Sequence, residues 1–204
     1  METNDLYKII AENTEEVLFK DRNSKFFGYA FPISNEDEIR HWLEVLKKQH
    51  HSARHWCYAW QLGVEKPKYR ANDDGEPSNS AGMPIYGQIK SFELTNILIV
   101  VVRYFGGVKL GVGGLINAYR TAAKMAIEVA KIEEKTIDVK LEIGFDYKNM
   151  NKVMRIIKEK NLKLVDQKME MNCTLFLSVR KKQAPEILEI FNSLFEVSVK
   201  KLEN

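Results

Sequence analysis

Cysteine is scarce in this chain: Cys57 and Cys173 fall in opposite halves of 204 residues and share no metal-type spacing. They read most simply as two reduced thiols, not as a disulfide framework. Long hydrophobic runs are absent too. The longest, Ile97–Val102, is far short of the roughly 20 apolar residues needed to cross a bilayer. The opening Met1-Glu-Thr-Asn-Asp5 lacks the basic and then apolar profile of a signal peptide, so the expected location is the cytoplasm. A strong charge of one sign is also missing. A net +3 spread over many ions of both signs permits a nucleic-acid partner without requiring one. No internal repeat or low-complexity segment is visible.

What the chain does have is 45% hydrophobic residues, enough to bury a real core in one large or two small domains. Lys25–Phe31 is aromatic-rich and strand-like, and Ser34 or Asn35 can cap the helix that follows, where Ile39, Trp42, Leu43 and Leu46 recur at helical spacing. Trp56–Leu62 reads as the next strand. Residues 63–84 read as a long turn-rich loop, of a length that is usually functional or disordered. A short helix is expected over Ile85–Phe92, then a doubly covered strand over the β-branched run Ile97–Val102. On the next helix Ala118, Ala122, Ala126 and Ala130 form a flat row for close packing on a sheet, and the opposite side carries Arg120, Lys124 and Lys131. From Lys135 the pattern becomes strand 136–145, helix 148–160, strands 162–168 and 172–180, helix 185–192 and strand 195–200. That βαββαβ order is ferredoxin-like, and the fold class is α+β with domains at 1–132 and 133–204.

The most informative stretch is Arg103-Tyr-Phe-Gly-Gly-Val-Lys-Leu-Gly-Val-Gly-Gly-Leu-Ile-Asn-Ala-Tyr-Arg120. Glycines between an apolar strand and an alanine-rich helix, with cations at Arg103, Lys109 and Arg120, have the layout of a backbone cradle for an anion such as phosphate. The spacing satisfies neither the dinucleotide pattern nor the P-loop, which disfavours a nicotinamide or Walker-type role. The candidate phosphate- or nucleic-acid-binding residues are Arg103, Tyr104, Lys109, Gly111, Gly113, Gly114 and Arg120. Gly113 and Gly114 are expected to hold positive φ. Tyr104 and Phe105 stand at the strand exit, where stacking on a base would be useful. The plainer reading is that the glycines only permit a tight strand-to-helix turn.

A second candidate is the acidic run Asp73, Asp74 and Glu76, with His55 and Cys57 on the strand before it. Asp74 or Glu76 can serve as acid–base groups, and His55, Cys57, Asp73 and Asp74 can hold Zn²⁺ or Mn²⁺. Asp and Glu in a Gly/Pro-rich loop more often cap helices and satisfy backbone N–H groups. The patch Lys47, Lys48, His50, His51, Arg54 and His55 reads as a solvated face, with the lysines suited to a helix C-terminus. Trp42, Trp56, Tyr58 and Trp60 read as core. No cofactor is expected.

The glycine stretch together with Asp73-Asp74-Gly-Glu-Pro-Ser-Asn-Ser-Ala-Gly-Met-Pro-Ile85 closely resembles the signature of the Impact family, whose bacterial members are the YigZ-type proteins. Ser24-Lys-Phe-Phe-Gly-Tyr-Ala30 and His55-Trp-Cys-Tyr-Ala59 resemble its first strands. Two positions depart from the familiar pattern. Asn79-Ser80 stands where Gly-Thr is usual, and Asn117 replaces an arginine, removing one cation from the binding face. The resemblance implies an N-terminal domain of the ribosomal-protein-S5 domain-2 type, then a ferredoxin-like domain similar to the fifth domain of the translocation GTPase. It also implies a translation-linked protein that binds RNA or a ribosome-associated surface and does not act as an enzyme. The alternative is an enzyme on a small phosphorylated or nucleotide substrate. A further expectation is a protein partner at a sheet edge of the second domain.

Overall fold

The computed structural model describes residues 5–202 and divides them into two compact units, one spanning Tyr7–Lys135 and the other Thr136 onward together with Asp5 and Leu6. Sequence placed the boundary at 132/133 and assigned the start of the chain to the first domain. Asp5 groups instead with the second unit. Its carboxylate accepts from Arg180 Nε and Nη2 at 2.7 and 2.9 Å and from the Lys182 N–H, and its carbonyl accepts from the Ile137 N–H.

The first unit runs β1 (Leu6–Ile10), β2 (Val17–Asp21), β3 (Ser24–Pro32), α1 (Glu36–Gln49), β4 (His55–Leu62), β5 (Lys68–Asn72), α2 (Gly82–Ser91), β6 (Ile97–Tyr104), α3 (Gly111–Glu128) and β7 (Ile132–Thr136). β1, β2, β5 and β7 are only five residues long, too short for a pattern to be read from sequence, and the polar β5 lies inside the stretch expected to be a structureless loop. A five-stranded antiparallel sheet has the order β2-β3-β6-β4-β5, and β1 pairs with β7 separately.

Strand alternation sorts this sheet into two faces. Phe26, Ala30, Cys57, Ala59, Ile97, Ile99 and Val101 point to a core shared with α2 and α3. Tyr29, Phe31, Trp60, Leu98, Val100 and Val102 point to a second core closed by Ile39 and Leu46 of α1. Because both faces are covered, Ile97–Val102 is wholly buried. The alanines of α3 serve the same layering. Ala118, Ala122 and Ala126 are fully buried, and opposite them a Cβ on Gly28 of β3 would stand 2.7 Å from the Ala122 carbonyl oxygen. Asn35 is the cap of α1, accepting from the Asp37 and Glu38 N–H groups, with acidic residues in the first turn and lysines in the last.

The second unit runs β8 (Asp138–Asp146), α4 (Met150–Glu159), β9 (Lys163–Lys168), β10 (Asn172–Arg180), α5 (Ala184–Asn192) and β11 (Val197–Leu202). Its antiparallel sheet has the order β11-β8-β10-β9. Val139, Leu141, Ile143 and Phe145 alternate inward with Leu175, Leu177 and Val179, and Val153, Ile157, Ile187 and Phe191 of the helices close that core. β9 is an edge strand with all six residues exposed.

Candidate functional site

The two loops singled out by sequence lie at the same end of β4 and β6, because His55 pairs with Arg103 in the register of those strands. Arg103 ends the buried run of β6 and points into the core shared with α3. Its Nη1 lies 2.6 Å from Glu76 Oε1, and the Tyr119 hydroxyl of α3 donates to the same oxygen at 2.8 Å. Both charged side chains are nearly inaccessible, at 7% and 4% exposure. Arg103 Cζ also stands 5.5 Å from the ring centres of Phe26 and Phe105, and its buried Nε has no hydrogen-bond partner. This is a correction to the sequence reading, in which Arg103 met phosphate. The guanidinium is committed to the acidic loop because β6 alternation turns it inward.

The remaining acidic residues are occupied by backbone. Asp73 Oδ1 accepts from the Ala81 and Gly82 N–H groups at 2.9 and 2.8 Å, and its Oδ2 accepts from Asn79 at 2.8 Å. That carboxylate therefore caps α2, whose own N-cap residue, Ala81, has no side chain to do it. Asp74 Oδ2 accepts the Trp56 N–H at 2.7 Å. His55 Nδ1 and Cys57 Sγ meet the main-chain oxygens of Asp74 and Asp73, not their carboxylates. Among the described residues no group of three or more His, Cys, Asp or Glu has a metal-holding arrangement. Burial pushes the Cys57 thiol pKa well up, with the Glu76, Asp74 and Asp73 charges adding to it, and burial likewise raises Tyr119. Neither group is an activated nucleophile.

The glycine loop is open where the acidic loop is closed. Gly106 presses on the β2–β3 turn, donating to Ser24 Oγ at 3.1 Å, and a Cβ there would overlap the Asn23 backbone at 2.1 Å. Gly107 and Gly111 hold φ of +85° and +73°, and nothing approaches the Cβ position of either. Gly113 and Gly114, expected at positive φ, are ordinary helical residues of α3. A Cβ on Gly113 meets nothing, while one on Gly114 stands 3.0 Å from Leu110 Cβ. The first turn of α3 has no side-chain cap and no acidic residue, so its N–H groups have no side-chain acceptor among the described residues and the positive end of the helix dipole is not neutralised there. Lys109 and Arg120 are exposed and have no acidic partner among the described residues. Helical spacing puts Gly113, Asn117, Arg120 and Lys124 on one exposed face of α3.

Tyr104 belongs to a network that sequence did not suggest. Its hydroxyl is hydrogen-bonded to Nδ1 of buried His50 at 3.0 Å, His50 Nε2 meets the Tyr29 hydroxyl at 2.5 Å, and Tyr29 donates to the Glu16 carboxylate. Burial lowers the His50 pKa below its usual value, partly opposed by Glu16, and burial raises Tyr29. Instead of lying in a solvated patch, His50 is the polar centre of an aromatic cluster with Phe27, Tyr29 and Tyr104. A buried histidine of this kind leaves no local sequence signal, since its partners come from three separate segments, β3, β6 and the residues before β2.

Fold and site together define a mixed α/β protein with a self-satisfied acidic loop beside an open glycine loop at a helix start. The Impact N-terminal domain family matches residues 22–127, a span that holds both loops. IMPACT family member YvyE of Bacillus subtilis is 32% identical over 171 residues, covering 84% of this chain and 79% of that protein. IMPACT family member YigZ of Escherichia coli is 27% identical over 152 residues, 74% of each. A crystal structure of a hypothetical protein shares the fold with a TM-score of 0.69 at 23% identity, covering 98% of this chain and 99% of that one. The chain belongs to the Impact family. No helix among its described residues is long and apolar enough to cross a membrane.

Proposed function

We propose that this protein is a cytoplasmic, translation-linked regulator that binds RNA, or the RNA surface of a ribosome, through the glycine loop and the start of α3. The observation that carries the reading is the uncapped α3 N-terminus. Its bare glycines let a phosphate reach the backbone, Lys109 immediately precedes the helix, and Arg120 lies further along its exposed face, both without an acidic partner among the described residues. The antiparallel sheet orders support the S5-domain-2-like and ferredoxin-like assignments, which link the chain to domains of the translocation GTPase by fold analogy. Commitment of Glu76 to Arg103 and of Asp74 to Trp56 weighs for binding over turnover. The exposed β9 edge offers the second unit a strand for a protein partner.

The test is the salt dependence of single-stranded RNA binding. Lys109→Ala and Arg120→Ala are each expected to weaken binding and to reduce the slope of log K against log salt by about 0.7, the single-strand value for one phosphate contact. Equal affinity and slope in wild type and in the double variant, with folding intact, would overturn the phosphate reading.

A further inference from the structure

We infer that the cavity of about 260 Å³ beside the glycine loop, lined by Asn23, Lys25, Phe27, Tyr104 and Phe105, is a receptor for one unstacked nucleobase. The inference rests on the phosphate reading above for its RNA form and adds the part of the ligand that lies off the backbone.

Size limits the guest first. The volume falls just below the roughly 300–1,000 Å³ of pockets for drug-sized molecules, which leaves room for one planar ring system. The walls then choose its chemistry. Three of the five lining residues are aromatic, and every base has a π-face to set against them. Tyr104 is held in place before any ligand arrives, by its hydrogen bond to His50 and by an edge-on contact with Phe27 at 5.6 Å between ring centres. A wall already ordered loses little entropy on binding. Phe105 is the outer wall and is 53% exposed, a large apolar ring that no core accounts for.

Polar groups at the rim fit the same guest. Lys25 is exposed and has no acidic partner among the described residues, so it is available to a phosphate. Asn23 sits in a two-residue hairpin turn with Arg22, both at positive φ, and its amide carries the donor and acceptor pair that base edges present. The Gly106 N–H to Ser24 hydrogen bond ties this turn to the glycine loop. Phe27 and Tyr104 lie on the α1 face of the sheet, so the cavity opens on the face opposite α3, and Lys25 is the cation at its rim.

Free nucleoside monophosphates and single-stranded RNA present the same base, and two measurements separate them. In the first, AMP and UMP are titrated while the ring signals of Phe27, Tyr104 and Phe105 are followed by NMR, in wild type and in Phe105→Leu. Shifts confined to those rings, lost in the variant, are expected. In the second, anisotropy compares a labelled RNA decamer with an abasic decamer of the same length. Phe105→Leu, a change at an exposed site, is expected to bind the decamer about fivefold or more weakly with an unchanged salt slope, since no charge is removed. The abasic decamer is expected to bind both proteins alike. Ring shifts without RNA binding would support the base pocket, assign it to free nucleotides and remove the phosphate-track reading. A stacking loss with RNA but no shift with monophosphates would support the pocket for RNA alone. No ring shifts together with equal decamer binding by wild type and Phe105→Leu would overturn the pocket, and a retained Lys109 and Arg120 salt effect would leave the phosphate reading standing.

Discussion

Glu76 and Arg103 show at the scale of single residues how one charge changes meaning with its surroundings. In sequence, Arg103 is one of three cations bracketing a glycine loop. In the fold it is buried 2.6 Å from Glu76. Removing one member of a buried pair leaves the other charge uncompensated, so Glu76→Gln is expected to destabilise the first unit by about 3–5 kcal/mol in urea denaturation. Glu76→Gln combined with Arg103→Met is expected to recover part of that loss. The glycines divide in the same way. Gly111→Ala must hold a side chain at φ +73° and is expected to cost about 1–2 kcal/mol. Gly113→Ala places its methyl in open helical space and is expected to gain about 0.5–1 kcal/mol by the same measurement.

Among the elements, α2 depends most on a distant residue. Its N-terminal N–H groups are satisfied by Asp73, eight and nine positions upstream of Ala81 and Gly82, so the helix start and the acidic loop stand or fall together. Asp73→Ala is expected to cost about 2 kcal/mol, the upper end of the range for loss of a cap, because three N–H groups lose their acceptor. Hydrogen exchange should show the loss as faster exchange confined to 79–82. The helix itself was legible from Ile85 onward, where apolar spacing begins. Its first turn was not, since the cap lies outside any local window. Helix α3 and strand β6 were legible because an alanine row and a β-branched run each state their burial directly.

The whole molecule carries separate cores in its two units, and all three tryptophans, Trp42, Trp56 and Trp60, belong to the first. Tryptophan fluorescence therefore reports the first unit, while far-ultraviolet circular dichroism reports both. The two units are expected to lose stability in different acid windows. His50 has its folded pKa depressed by burial, with Glu16, Tyr29 and Tyr104 around it. Its contribution is present above the unfolded value of 6.5 and is lost as pH falls through the folded value. Asp5 is held at about 2 by Arg180, so its contribution to the second unit is present above the unfolded 3.8 and is lost as pH falls toward 2. Thermal unfolding followed by fluorescence should weaken from about pH 6.5 downward. His50→Gln should flatten that dependence and leave the lower, Asp5-linked step visible only in circular dichroism.

Local pattern determined what depends on neighbours in the chain: the βαββαβ order of the second unit, the doubly covered β6, the packing face of α3 and the family signature itself. Apolar periodicity reports burial directly, and burial is most of what places such elements. Tertiary structure decided which polar groups remain available. Arg103 and Glu76 are 27 residues apart, and His50 and Tyr104 are 54 apart. Asn23 and Lys25 reach the glycine loop only because β3 pairs with β6. A charge or hydroxyl carries the same letter whether its partner is water or a buried group, and only the register of a sheet and the closing of a helix over it decide between the two.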